Sequence, residues 1–147
     1  MKKILIPLLV LAGWLAVPQT KACWKFVPLE TRMAGATYVV VGKINRIVAD
    51  IERHDRMYDV GAIEVSNVLK GPKALKEVRL VWPSKTNKAR MSTDISFSKG
   101  QEGVWILYPD SKEKDVYRAS YPSDYQSLKA LSIVEQKLKI RRKCGTQ

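Results

Sequence analysis

The alternation of hydrophobic and polar positions predicts a succession of β-strands. Residues 37–47 are mainly β-branched and aromatic, and Gly42 in their midst predicts a long first strand that bends or admits another backbone there. Residues 57–69 predict a second long strand, in which a change of phase at Gly61 indicates a β-bulge. Shorter strands are expected over 78–82, 104–108 and 115–120, with a further extended piece beginning at Phe97.

Helical patterns precede and follow these strands. Pro28 and the helix formers after it predict a short helix that ends at Gly35. Ser123 and Gln126 have the spacing of a capping box, so a second helix should begin at Ser123. The apolar face of this second helix is expected to consist of Leu128, Leu131, Val134 and Leu138.

Five or so strands with two bends are too few for an immunoglobulin-type sandwich. They suit a mainly β fold, a small closed barrel of the OB type with about five strands, with a short N-terminal helix and a C-terminal amphipathic helix. Gly42 and Gly61 would lie at the corners of this barrel.

The first 22 residues are expected to form a cleaved signal peptide. Lys2 and Lys3 precede an apolar run at 4–17, and small residues follow at Thr20 and Ala22. The run is too short for a membrane span, so no transmembrane anchor is expected. Thr20 stands where a lipoprotein signal has a large aliphatic residue, which argues against lipidation of Cys23. Residues 23–147 would then be one secreted or periplasmic domain.

The charge and the cysteine content limit the classes of partner that are expected for this domain. The chain has 26 basic and 14 acidic residues, and loss of Lys2, Lys3 and Lys21 with the signal leaves a net charge of 23 − 14 = +9. Such an excess favours anionic partners. Cys23 and Cys144 are the two cysteines, and export favours a disulfide between them over two free thiols.

The sequence carries no recognisable enzyme motif, so no catalytic residue, intrinsic metal or cofactor is expected. The one histidine, His54, lies in a charged turn, where a solvated side chain is the favoured interpretation. Asp94 with Glu102 could supply the two carboxyl groups of a glycosidase, but their lysine-rich surroundings favour solvated surface charge.

Basic clusters offer a second class of function. They comprise Lys70, Lys73 and Lys76, then Lys85, Lys88 and Arg90 in the polar loop 84–94, and residues 137–143. If Trp24, Trp82 or Trp105 were exposed, bases of a single-stranded nucleic acid could stack on the indole rings while the basic clusters bind its phosphates. Export argues against nucleic acid, and Trp105 in an apolar run is expected in the core. Three interpretations of the basic clusters remain. They bind an anionic polysaccharide, they bind a lipid head group, or they form a basic surface that serves solubility alone.

Several short motifs resemble the netrin-type (NTR) module shared with tissue inhibitors of metalloproteinases. They are Ala22-Cys23 at the expected cut, Ala36 to Lys43 leading into a Val-rich strand, Leu69-Lys70-Gly71-Pro72, Trp82-Pro83-Ser84, and a terminal helix ending near Cys144. The resemblance spans nearly all of residues 23–147. It implies an OB-type fold and a binding function rather than catalysis.

In these inhibitors the N-terminal cysteine chelates the zinc of the protease. The resemblance implies that Cys23 is such a ligand of a partner's zinc and that Trp24 enters the specificity pocket. An inhibitory ridge would also include Lys25, Pro83, Ser84 and Lys85. Lys25 replaces the family's second cysteine, and no cysteine follows Pro83 to tether the opening segment.

Two hypotheses follow from these observations. One is an exported non-catalytic domain that acts on an extracytoplasmic protease through Cys23. The alternative is a binder or hydrolase of an anionic envelope glycan.

Overall fold

A computed structural model describes residues 26–89 and 94–144, with side chains described up to residue 139. The signal-peptide region and the ridge candidates Cys23, Trp24 and Lys25 lie outside the described residues. Arg90 of the basic loop and the side chain of Cys144 do so as well. The signal peptide and the disulfide therefore stay predictions.

The described chain is mainly β, and five of its strands form a ring. The elements are α1 (Leu29–Gly35), β1 (Tyr38–Arg53), β2 (Arg56–Lys70), β3 (Glu77–Pro83), β4 (Glu102–Pro109), β5 (Val116–Arg118), β6 (Tyr125–Gln126) and α2 (Leu131–Cys144). β1 pairs with β2, β2 with β3, β3 in parallel with β5, β5 with β4, and β4 with β1 again. β6 adds to β4. The mainly β class with a short first helix and a C-terminal helix is thus confirmed.

Gly42 lies where β1 passes closely between its two neighbouring strands. A Cβ atom there would approach the Glu64 carbonyl oxygen to 2.5 Å, so no larger residue fits without movement. The Gly42 carbonyl accepts a hydrogen bond of 2.8 Å from the Trp105 indole N–H. The close backbone approach that the sequence predicts at this glycine is confirmed.

The bulge predicted at Gly61 is wrong. The register continues without a shift from Arg46↔Ala62 through Ile47↔Gly61 to Val48↔Val60. Gly61 instead makes room for the Trp82 indole, because a Cβ atom would lie 2.8 Å from two ring carbons. The shifts in the β1–β2 pairing fall elsewhere, for example between Ile44 and Arg46.

Alternate residues of β1 and β4 supply two hydrophobic clusters. Val40, Ile44 and Trp105 belong to the first, in which Phe97 packs edge-on against Trp82 and Trp105 at centroid distances of 5.3 and 5.1 Å. The second cluster lies under the helices and contains Met33, Val39, Val41, Val104, Ile106 and Val134. Because side chains alternate across a strand, one run such as Val39–Val41 serves both clusters. Trp105 is fully buried, as expected.

The C-terminal helix begins at Leu131, so the capping box predicted at Ser123 is wrong. Residues Pro122–Asp124 form a 3₁₀ turn, β6 follows, and a second 3₁₀ turn at Leu128–Ala130 leads into α2. Leu128 is 43% exposed. Leu131, Val134 and Leu138 do pack on the second cluster, which confirms the rest of the predicted face.

Candidate functional site

A cavity of about 310 Å³ opens between the β1–β2 hairpin, the end of β3 and the β4–β5 loop. The hairpin contributes Arg53, Arg56 and Tyr58 to its wall, and β3 contributes Val81, Trp82 and Pro83. Its volume is at the lower end of the range for small-molecule sites, roughly 300–1,000 Å³. We call it the cationic cavity because of the charges described below.

A two-residue turn fixes the hairpin side of the cavity. His54 and Asp55 connect β1 to β2 with φ angles of 50° and 61°, the left-handed geometry of the tight turns that match strand twist. Arg53 and Arg56 therefore stand opposite each other at the last strand pair. The charged turn predicted around His54 is confirmed at His54 and Asp55, and His54 is exposed, as expected.

Arg53 ties the hairpin to the β4–β5 loop. Its Nη2 donates to Asp110 Oδ2 at 3.1 Å and to Glu113 Oε2 at 2.8 Å. Its guanidinium lies 5.6 Å from the centre of the Tyr58 ring. These contacts hold two walls of the cationic cavity at a set separation.

Asp94 lies at the start of the second described segment and is paired with Arg56. The Arg56 Nη2 to Asp94 Oδ2 distance is 2.6 Å, and the Asp94 side chain is 4% exposed. Asp94 lines the cavity, whereas Glu102, its conceivable catalytic partner, lies exposed on β4 and does not. The expected solvation of these carboxylates is therefore wrong for Asp94, which is buried against an arginine.

Two further cations, Lys112 and Arg118, line the cavity without an acidic partner among the described residues. All 14 acidic side chains of the sequence fall within that part of the chain. The carboxylates at the cavity, Asp94 and Asp110, are bound to arginines. The wall thus carries an excess of positive charge.

The tryptophans that the sequence offers as stacking surfaces are not exposed. Trp82 is 3% and Trp105 0% exposed, and Trp24 lies outside the described residues. Trp82 nevertheless lines the cationic cavity from within the wall. Stacking of nucleic-acid bases on Trp82 or Trp105 is therefore excluded.

The described ridge candidates Pro83, Ser84 and Lys85 differ in accessibility. Pro83 lines the cationic cavity, and Lys85 is exposed. Ser84 is 3% exposed, and its hydroxyl donates to Asp50 Oδ1 at 2.7 Å. The hydroxyls of Thr86 and Ser84 lower the pKa of Asp50. The segment after β3 is therefore fastened to the hairpin.

Part of the predicted basic surface has a structural role. The Lys70 ammonium donates to the carbonyl oxygens of Met33 and Ala34, both at 2.9 Å, and to that of Ala36. These are the carbonyls left unsatisfied at the end of α1. Lys73 donates to the Val68 carbonyl. Lys85 and Lys88 are exposed.

Arg32 and Asp124 form a buried ion pair on the helix side of the ring. Arg32 Nη1 lies 2.7 Å from Asp124 Oδ1, with side chains 7% and 0% exposed. Asp124 Oδ2 accepts the amides of Ser120 and Tyr121 at 2.9 and 2.8 Å. Burial raises the pKa of Asp124, against the opposing effects of Arg32 and the two amides. The sequence offered no signal for this pair.

The cavity residues Arg53, Arg56, Lys112 and Arg118 were not singled out by the sequence. Each lies in or beside a segment predicted only as a charged turn or a last strand. The sequence signal that could have indicated these four residues is that basic residues flank two separate turns. Their convergence depends on the ring, which brings the two turns together.

The described segments hold neither a metal-binding cluster nor a membrane-spanning helix. Within 26–89 and 94–144, no group of three or more His, Cys, Asp or Glu side chains could hold a metal ion. No helix of that part is long and apolar enough to cross a membrane.

Comparison with known proteins identifies no family. No protein-family model and no curated protein sequence matches the chain. The netrin-type resemblance therefore stays a prediction, and the function has to be inferred from the geometry of the chain itself.

Proposed function

We propose that this protein is an exported OB-type binding domain that holds an anionic glycan in the cationic cavity. The observation that carries this proposal is the pair Lys112 and Arg118, which line a concave site without an acidic partner in the described part. Charges of this kind attract anionic ligands and hold them by charge-assisted hydrogen bonds.

The order of strands supports the OB-type assignment. The ring β1-β2-β3-β5-β4 closing on β1 is the arrangement expected of that five-stranded barrel. OB domains bind oligonucleotides and oligosaccharides on strands 2 and 3, between the loops that join strands 1 to 2 and 4 to 5. The cationic cavity lies at this place, and the expected export favours a glycan over a nucleic acid.

The composition of the wall suits a sugar acid. Lys112 and Arg118 offer donors to a carboxylate or sulfate, and Ser111 and Ser120 add polar groups. Val81, Pro83 and Ile95 supply apolar surface for the face of a sugar ring. Sites of this type combine apolar walls with a few polar groups that set orientation.

Binding is favoured over hydrolysis. Retaining and inverting glycosidases place two carboxyl groups about the scissile bond, one of them as a proton donor. The carboxylates on the described wall, Asp94 and Asp110, both accept hydrogen bonds from arginines. Neither is placed as a free acid, which supports a non-catalytic role.

Calorimetric titration with acidic and neutral oligosaccharides tests the proposal. Oligogalacturonate should bind, a neutral oligosaccharide of equal length should not, and added salt should weaken the binding. Arg118→Gln and Lys112→Gln should each lower the affinity about tenfold or more, as expected for loss of a charge-assisted contact. Lys129→Gln removes the same charge from an exposed position outside the cavity wall and should leave the affinity unchanged. Equal losses in all three variants would contradict a localised site.

Protease inhibition through Cys23 is the second candidate. Lys137 of α2 and Glu30 of α1 form an ion pair, so the start of the described chain lies beside the C-terminal helix. The expected Cys23–Cys144 disulfide would fix the N-terminal amine. One residue added before Cys23 should abolish inhibition of a zinc protease, and should leave glycan binding intact. Inhibition that survives the addition would rule out chelation by the amine.

A further inference from the structure

We infer that Asp124, on the helix side of the ring, is a positioning residue for the cationic cavity, because its carboxylate sets the place of the wall segment from Arg118 to Ser120. The inference rests on the proposed function and names a group that determines the geometry of that site. Arg118, Ala119 and Ser120 all line the cavity. Asp124 does not line it and is 0% exposed, so it acts on a ligand only through the wall segment.

The wall segment leaves the sheet at Arg118. This residue is the last of β5 and pairs with Tyr108 of β4, whereas Ala119 and Ser120 belong to no strand. The backbone amides of Ser120 and Tyr121 donate instead to Asp124 Oδ2, at 2.9 and 2.8 Å. Hydrogen bonds to a carboxylate are stronger than those between neutral groups. Two of them on adjacent amides fix the direction in which the chain leaves the cavity wall.

Asp124 is in turn held from α1. Its other oxygen, Oδ1, accepts a hydrogen bond of 2.7 Å from Nη1 of Arg32. Arg32 Nε donates to the Val27 carbonyl at 3.2 Å, and the Arg32 carbonyl accepts the Tyr108 hydroxyl at 2.9 Å. A continuous chain of hydrogen bonds therefore runs from α1 and β4 through Asp124 to Ser120 on the cavity wall.

Stability alone is a weak reason for this arrangement. A buried ion pair is often no more stabilising than well-packed apolar side chains of similar volume. An apolar side chain in place of Asp124 could not accept the two amides of Ser120 and Tyr121. With the carboxylate present, the wall segment is ordered before a ligand arrives. A site that is ordered in advance loses less conformational entropy on binding, and so binds more tightly.

Nitrogen-15 relaxation together with calorimetric titration tests this role. In the original protein, the amides of Ser120 and Tyr121 should have order parameters of about 0.85, with and without digalacturonate, as rigid backbone does. In Asp124→Asn, which removes the charge with little change of shape, these values should fall towards about 0.6 and recover at saturation. Digalacturonate should bind about tenfold more weakly, because the segment then has to be ordered on binding. Added sucrose favours the folded state of the variant during both measurements.

Leu131→Ala is the matched control, since it destabilises the same side of the ring. Leu131 packs on the second hydrophobic cluster and takes no part in the chain of hydrogen bonds from Arg32 to Ser120. This variant should keep both the order of the wall segment and the affinity for digalacturonate. Equal losses of affinity in Leu131→Ala and Asp124→Asn would overturn the inference, because lower stability would then explain both.

Two further results would overturn the inference and leave the proposed function standing. One is an unchanged affinity in Asp124→Asn when Arg118→Gln still weakens the binding of digalacturonate. The other is a wall segment that is already mobile in the original protein, with order parameters below about 0.6 at Ser120 and Tyr121. If digalacturonate does not bind the original protein, the proposed function fails and the inference fails with it.

Discussion

The two sides of the strand ring use similar polar residues in opposite ways. On the helix side, Arg32 binds the buried Asp124, and Lys70 binds three carbonyl oxygens at the end of α1. On the cavity side, Lys112 and Arg118 have no acidic partner within the described residues. Burial of polar groups is costly unless they are hydrogen-bonded. The helix side is thus complete by itself, whereas we propose that a ligand completes the cavity side.

This difference separates stability from binding. Substitutions on the helix side should lower the free energy of unfolding, and substitutions of Lys112 and Arg118, the cavity cations without an acidic partner among the described residues, should change binding alone. Four predictions test this separation, in order of the expected effect on stability.

Asp124→Ala should have the largest effect. It leaves the Arg32 guanidinium buried without its partner and should lower the free energy of unfolding by about 3–5 kcal/mol. Glu30→Ala removes the exposed ion pair with Lys137 on the same side, and should have a much smaller effect because exposed ion pairs contribute little to stability. Chemical denaturation measures both. Equal effects would show that the buried pair does not hold the helix side together.

Leu131→Ala should lower the free energy of unfolding by about 2 kcal/mol, the lower end of the range for a core deletion, because Leu131 is only partly buried. Ser123→Ala should change it by less than about 0.5 kcal/mol, because Ser123 is exposed and does not begin α2. Denaturation midpoints compare the two variants. A loss of 1 kcal/mol or more in Ser123→Ala would restore a capping role that the structure does not give it.

Two tyrosines should titrate late in the folded protein. Burial, together with the charge of Asp124, raises the pKa of Tyr108 to about 12. The hydrogen bond to Tyr38, together with burial, raises the pKa of Tyr117 to about 12. Unfolded tyrosine has a pKa of about 10, so this stabilisation is fully present below pH 10 and is lost as the pH rises through about 12.

Tyrosinate absorbance measured against pH checks these two groups. Tyr108→Phe and Tyr117→Phe should each remove one late-titrating group from the six tyrosines of the sequence. Ionisation of every tyrosine near pH 10 in the folded protein would contradict both assignments.

Arg118→Gln should have the smallest effect on stability. Arg118 is exposed and forms no ion pair with a described acidic residue, so the free energy of unfolding should stay within about 0.5 kcal/mol of the original. Thermal denaturation with and without oligogalacturonate measures both properties, because a ligand that binds the folded state raises its stability. The ligand should stabilise the original protein and should stabilise the variant much less. A large loss of intrinsic stability in the variant would break the separation of the two sides.

Much of the fold could be predicted because local patterns report directly on strands. The β-branched run around Gly42 predicted both a long strand and the close approach at that glycine. Gly61 was misread because a glycine within a strand marks either a bulge or a place that another group approaches closely. Only the β2–β3 register shows that Trp82 occupies the space.

The start of α2 was misplaced for a comparable reason. Ser123 and Gln126 have the spacing of a cap, but Asp124 binds the amides of Ser120 and Tyr121 and so holds this segment in a separate turn. Its partner Arg32 lies 92 positions earlier in the chain. No local pattern reports such a pair.

The candidate site was the least predictable part. Arg53 and Arg56 flank the turn at His54 and Asp55, Lys112 lies in the β4–β5 loop, and the sequence does not indicate that these two places meet. Basic clusters read along the chain gave Lys70 as a surface residue, whereas it caps α1. Spacing along the sequence shows where charged residues are dense locally. It does not show which of them meet in the folded protein.

Mapping of backbone amide shifts on addition of digalacturonate tests the central claim most directly. The account predicts that shifted amides cluster at 53–58, 81–83 and 110–120 around the cationic cavity, and that those of α1 and α2 stay in place. Shifts confined to α1, α2 or the segment before Leu29, or an absence of shifts at saturating concentrations, would contradict an anion-binding site on the cavity side.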